Sequence, residues 1–160
     1  MPKKPRHDRP PVVLVNRSFV IYMKYHRILA IKRAATDSHL PGLWECPGGK
    51  LDEDQDLHGA LEREVMEETG LLVRPIDTIA HYSSKIIGGK GKYAGLTYVS
   101  LFGISTVIGG LLEDAAVKLS HEHDAYQWCT YREFMGLDLT PETQNAGIIL
   151  AQRLYENGVV

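Results

Sequence analysis

A chain of 160 residues with 44% hydrophobic and 24% charged side chains has the size and composition of one globular domain with a proper core. Its formal charge of −2 supplies no overall attraction to nucleic acid or to a membrane, so an anionic partner must be met by local cations. No apolar run approaches the roughly 20 residues of a membrane span, and Cys46 and Cys129, with no metal-like spacing and no secretory segment upstream, read as reduced thiols of a soluble cytoplasmic protein.

The opening "MPKKPRHDRPP" is Pro-rich, basic and aperiodic, so residues 1–10 are expected to form a flexible lead-in and residues 11–160 a single domain. Two β-branched and apolar runs follow, "VVLVNRSFVIY" and "RILAIKRA", which predict strands joined near Lys24 to His26. The stretch "TDSHLPGLWECPGGKLDEDQD" is turn-rich and predicts a loop around one short strand. "LHGALEREVMEET" predicts a helix with Asp54 or Asp56 as N-cap and Gly70 beyond its end. "LVRPIDTIAHYS", "LTYVSLFGIST" and "AYQWC" predict further strands. The last segment opens with Pro141 at a first helical position and puts Ala146, Ile149, Leu150 and Leu154 on one face. No internal repeat is visible, and the element order implies a sheet covered by helices.

Glu62, Glu64, Glu67 and Glu68 crowd the end of the first helix, where mutual repulsion and the helix dipole both oppose them. At about 100° per residue, Leu57, Ala60, Leu61 and Val65 form an apolar stripe that Glu64 and Glu68 continue, with Glu67 at its edge. Glu62 points away and reads as a solvated charge. Inward carboxylates are costly to desolvate unless they protonate or share a cation. An all-oxygen set suits Mg²⁺, with Mn²⁺ as an alternative, and the chain has no Cys/His set for zinc. Arg63, four residues before Glu67, can pair with it and hold its orientation. Just upstream, "PGGKLD" is either a tight turn or a place where backbone approaches a ligand closely.

The span "GKLDEDQDLHGALEREVMEETGL", Gly49 to Leu71, resembles the Nudix box: Gly49, Arg63, Glu64, Val65, Glu67, Glu68, Gly70 and Leu71 fall on its fixed positions. The lead-in "WECPGG" is similar to that family's approach to the box. The resemblance implies an α/β fold, a Nudix-type α/β/α sandwich with a mixed β-sheet between helices, over about residues 11–156. It implies Mg²⁺-dependent hydrolysis of a diphosphate linkage in a nucleoside diphosphate derivative, with water attacking phosphorus. Glu64 and Glu68 are then the primary metal ligands, Glu67 a ligand or the general base, Arg63 its orienting partner, and Gly49 a further contributor at the metal. Glu122, in "LSHEHDAYQW", resembles the additional carboxylate that some members supply from outside the box.

One position departs from the pattern, since Gln55 stands where the family has its first glutamate, and a carboxamide brings no charge to a metal. A Nudix-fold nucleotide-binding module with little or no catalysis is therefore the rival expectation. For substrate contacts the candidates are Gly48 and Gly49, Trp44, which either stacks on a base or packs, and Arg33, which either meets a phosphate or lies on a solvated edge. His121 and His123 read as a polar loop or as substrate contacts, and Trp128 as core. "SKIIGGKGKYAG" is either a plain hairpin loop or a cationic loop that closes over polyphosphate. Ile86 and Ile87 occupy the region of the subfamily markers, so neither the proline associated with ADP-ribose nor the tyrosine associated with dinucleoside polyphosphates is present. The expected partner is a small-molecule nucleotide, with no membrane and no specific nucleic acid, and a homodimer is allowed.

Overall fold

The computed structural model describes residues 12–52, 56–85, 95–110 and 116–156. Its strands are β1 (Val12–Tyr22), β2 (Arg27–Arg33), β3 (Trp44–Glu45), β4 (Gly48–Lys50), β5 (Leu71–Lys85), β6 (Thr97–Gly110) and β7 (His123–Cys129), and its helices α1 (Leu57–Thr69), α2 (Tyr131–Met135) and α3 (Pro141–Glu156). The strands form one sheet in the order β3-β2-β1-β6-β5, with β4 added to β1 and β7 to β2. The β1–β6 pairing is parallel and the others antiparallel, so the sheet is mixed.

Alternation along the central strands sorts the core into two layers. Phe19, Ile21, Ile28 and Ala30 join Phe102, Phe134, Ala146, Leu150 and Leu154 on the face covered by α2 and α3. Val20, Leu29 and Ile31 join Leu61, Val65, Leu71 and Val73 on the face covered by α1. Strands buried on both faces read as continuous apolar runs, which is why β1 and β2 stand out in the sequence. The result is an α/β sandwich with the sheet between its helices.

Strands β1 and β2 pair directly at Ile21–Ile28 and Tyr22–Arg27, next to their connecting turn. Farther along they part: β4 pairs with Val15 to Arg17 of β1, and β3 pairs with Ile31 and Lys32 of β2. The turn-rich segment thus holds two short strands in the fork, not one, and carries Gly48 and Gly49 to the end of α1. That helix starts at Asp56, whose carboxylate accepts from the His58 and Gly59 amides at 3.0 and 3.1 Å, and ends at Gly70 in the left-handed region.

Two helix-face expectations are corrected. Leu57 is 40% exposed, and Ile149 is 42% exposed, its place on the inner face of α3 taken by Thr143 and Gly147. Helix α2 was absent from the sequence expectation. It is only one turn and a half long, held by a capping box between Thr130 and Glu133.

Candidate active site

Four long-range contacts fix α1, one at its start and three at its carboxylate-bearing end. Asn16 of β1, buried, donates from Nδ2 to the Leu57 carbonyl at 2.7 Å, tying the helix start to the sheet. At the other end the Gly48 amide donates to Glu68 Oε2 at 2.9 Å. The last turn's carbonyls are taken by the segment before β7, with Lys118 N–H donating to Thr69 O at 2.9 Å and Ser120 N–H to Glu68 O at 3.1 Å. That docking leads the chain into the turn that carries Glu122. One carboxylate oxygen each of Glu68 and Glu122 and one ring nitrogen of His123 consequently lie within 4.8 Å of one another.

The two glycines make this approach possible. Gly48 has φ +152°, and a Cβ there would run into the Asn16 carbonyl and Arg17 Cα. A Cβ on Gly49 would overlap the Glu64 carboxylate, so Glu64 lies directly against the Gly49 backbone.

The cluster is short of positive charge. Glu68 is 7% exposed, and burial pushes its carboxyl up to about 8; the Gly48 N–H and Arg17 work against the rise, while Glu45 and Glu64 add to it. Glu64 is also raised by burial, with Arg63 opposing and Glu67, Glu122 and Asp52 reinforcing. Carboxyls this unfavourable as anions either keep a proton or receive a cation. Two carboxylates and an imidazole nitrogen in reach of one point, with Glu64 beside them, fit a divalent ion.

Beneath the cluster lies a buried ion network that is not evident from the sequence. Glu45 of β3 accepts from Arg17 Nη1 at 3.1 Å, from Arg33 Nη1 at 3.0 Å and faces His123 Nε2 at 3.1 Å. Burial opposes its charge, yet Arg17, the His123 hydrogen bond and Arg33 bring the Glu45 carboxyl down to about 2. Arg17 also donates to the Cys46 carbonyl at 3.2 Å and is held charged, against burial, by Glu45, Glu142 and Glu68. Arg17 and Glu45 each interrupt an apolar run, which is the one trace they leave in the sequence; their partnership arises from strand register.

The expected site residues separate accordingly. Glu68 and Glu122 come together with His123, Gly48 donates to Glu68, and Glu64 lies against Gly49 beside that three-residue group. Glu67 sits at the rim, its side chain 57% exposed, and pairs with Arg63 at 3.3 Å; Arg63 also reaches Glu64 at 3.3 Å. Glu62 is exposed, as its helix angle requires. The solvated-edge reading of Arg33 is corrected: its guanidinium has Nη2 on Asp37 at 2.6 Å, Nε on the His39 carbonyl at 2.8 Å and Nη1 on Glu45. The polar-loop reading of His123 is also corrected, since it is the first residue of β7 and buried, whereas His121 is exposed in the turn. Trp44 packs half-buried on the core with Lys32 Nζ 5.9 Å from its ring centre. Trp128 packs against Tyr22 at 5.9 Å. Gln55, Ile86, Ile87, Lys90 and Lys92 lie outside the described residues.

The NUDIX domain model matches residues 13–152. The chain belongs to the Nudix family. The CTP pyrophosphohydrolase of Escherichia coli K12 is 29% identical over 115 residues, 72% of this chain and 75% of that protein. The 8-oxo-dGTP diphosphatase of Proteus vulgaris is 41% identical over 59 residues, 35% of this chain and 53% of that one. The matched stretch thus spans about half the length of the Proteus vulgaris relative, as it does for a MutT-like protein of Streptomyces ambofaciens at 48%. Among solved structures, the MutT protein from Methanosarcina mazei Go1 superposes with a TM-score of 0.70 at 22% identity, covering 94% of this chain and 97% of that one. A Caenorhabditis elegans Ap4A hydrolase complex gives 0.62 at 20% identity, covering 90% and 98%. These likenesses establish the fold. Within it the Nudix box runs from Gly49 in β4 through α1 to Leu71 at the start of β5. No helix among the described residues is long and apolar enough to cross a membrane.

Proposed function

We propose that this Nudix chain hydrolyses a diphosphate linkage in a small nucleotide, such as a nucleoside triphosphate or dinucleoside polyphosphate, with a divalent cation held by its carboxylate cluster. The observation that carries this is the convergence of Glu68, Glu122 and His123 on one point, with Glu68 buried, aimed by the Gly48 amide and unfavourable as an anion. Glu64 and Glu68 are the primary ligands, with Gly49 allowing Glu64 to lie close. A bound Mg²⁺ or Mn²⁺ supplies charge neutralisation for the diphosphate and acidity for the attacking water. Water attacks one phosphorus, the bridging oxygen departs with the other phosphate group, and a carboxylate takes the water's proton. Glu67, at the rim of the same helix turn, fills that role, with Arg63 holding its orientation. Two buried free thiols, Cys46 and Cys129, accord with a cytoplasmic setting.

Gln55 sustains a second reading, a nucleotide-binding module without turnover, because it removes one expected anion from the box. A phosphate-release screen over nucleoside triphosphates, dinucleoside polyphosphates, nucleotide sugars and ADP-ribose, with and without Mg²⁺, separates the two. Metal-dependent release from at least one class supports hydrolysis; silence across all classes favours the binding module.

A further inference from the structure

We infer that His123 supplies a nitrogen ligand, through Nδ1, to the cation held by Glu68 and Glu122, so that this site takes Mn²⁺ or Co²⁺ more tightly than Mg²⁺. The inference deepens the metal-site reading above and rests on it. It starts from Glu45, which receives two arginines and is thereby held as an acceptor-only carboxylate. His123 Nε2, 3.1 Å from Glu45 Oε1, must therefore be the donor in that pair. In the neutral ring this leaves Nδ1 with a bare lone pair, and Nδ1 is buried with no hydrogen-bond partner among the described residues. Buried polar atoms ordinarily have partners, so an orphan of this kind marks a place where something else binds. His123 as a residue is 7% exposed, and one of its ring nitrogens lies within 4.8 Å of an oxygen of Glu68 and one of Glu122. With Nε2 engaged, Nδ1 is the nitrogen that has capacity for a cation.

The distances suit this. Ligands on one ion at about 2.0–2.2 Å stand about 3–3.6 Å apart at octahedral or tetrahedral angles, so three donor atoms within 4.8 Å of one another come to share it by a modest inward movement of their side chains. The Glu45–His123 pair has the form of the carboxylate–histidine arrangement that orients metal-binding imidazoles and strengthens them as donors. A nitrogen donor also changes which ion is preferred. Mg²⁺ favours oxygen, whereas imidazole suits the later divalent ions, so a mixed oxygen and nitrogen set shifts preference toward Mn²⁺ and Co²⁺.

The test is pulsed electron paramagnetic resonance on the full chain loaded with Mn²⁺, with unlabelled and with ¹⁵N-histidine protein, alongside Mn²⁺ and Mg²⁺ binding titrations. The expected result is a directly coordinated ¹⁴N coupling that is replaced by ¹⁵N on labelling, disappears in His123→Gln, and persists in His121→Asn, the exposed neighbour. His123→Gln should weaken Mn²⁺ binding about tenfold or more and Mg²⁺ binding far less. Mn²⁺ that binds without nitrogen coupling, or coupling lost in His121→Asn, overturns the His123 assignment while leaving the carboxylate site intact. Failure to bind Mn²⁺ at all overturns both. Should His123→Gln not fold, as judged by near-ultraviolet circular dichroism, the labelled wild type and His121→Asn decide the question by themselves.

Discussion

Replacing Glu45 with glutamine removes the one anion shared by Arg17, Arg33 and His123 while keeping the side chain's size. Lowering the carboxyl from its ordinary 4.5 to about 2 corresponds to about 3 kcal/mol of native-state stabilisation. Breaking a buried pair by deleting one partner costs about 3–5 kcal/mol, because the other charge is left uncompensated. Both routes give a loss near 3 kcal/mol at pH 7, or about 10 °C in Tm for a chain of this size. Because the folded-state value lies below the unfolded one, the native protein binds fewer protons between the two. The stabilisation is therefore complete above about pH 4.5 and is lost as pH falls through about 2. Urea titrations of wild type and Glu45→Gln from pH 2 to 7 should show a gap that is constant at neutral pH and narrows on acidification. Glu156→Gln, which removes an exposed helix pair with Arg153, should cost less than about 1 kcal/mol. A Glu45→Gln loss no larger than that control, or a gap that widens toward pH 2, would refute the network's role.

Other outcomes follow from the same geometry. Millimolar Mg²⁺ should raise Tm by binding only the folded state, and Glu64→Gln should abolish most of that gain in differential scanning fluorimetry. Gly49→Ala should fold but lose much of the Mg²⁺-dependent rise, since its methyl group occupies the space of the Glu64 carboxylate; an unaltered rise would show that Glu64 stands elsewhere. Gln55→Glu should lower the Mg²⁺ concentration for half-maximal activity by adding an anionic oxygen, and an unchanged metal dependence would make Gln55 a bystander.

What could be read from the sequence divides by range. Strands β1 and β2 were legible as β-branched and apolar runs, broken in β1 by Asn16, Arg17 and Ser18, and α1 declared both ends through Asp56 and Gly70. The inward turn of Glu64 and Glu68 followed from helical period alone. Short elements were harder: β3 and β4 hold two and three residues, too few for periodicity, and α2 shows only its Thr130–Glu133 capping pair. Non-local pairings left little trace. Arg33 has the composition of a phosphate contact, and its capture by Glu45 and Asp37 depends on β3 lying beside β2. His123 passed for loop because nothing nearby in the chain reports that β7 pairs with β2 and brings it against Glu45.

The central claim is that one inward face of α1 holds the metal and drives hydrolysis, and turnover of Glu68→Gln beside Glu62→Gln tests it most directly. Both remove a carboxylate from the same helix, but Glu68 is buried in the cluster and Glu62 faces solvent. With a substrate identified by phosphate release and Mg²⁺ saturating, Glu68→Gln should reduce kcat by about a hundredfold or more while nucleotide affinity changes much less, and Glu62→Gln should stay near wild type. Equal losses in the two variants, or full turnover in Glu68→Gln, would contradict the assignment.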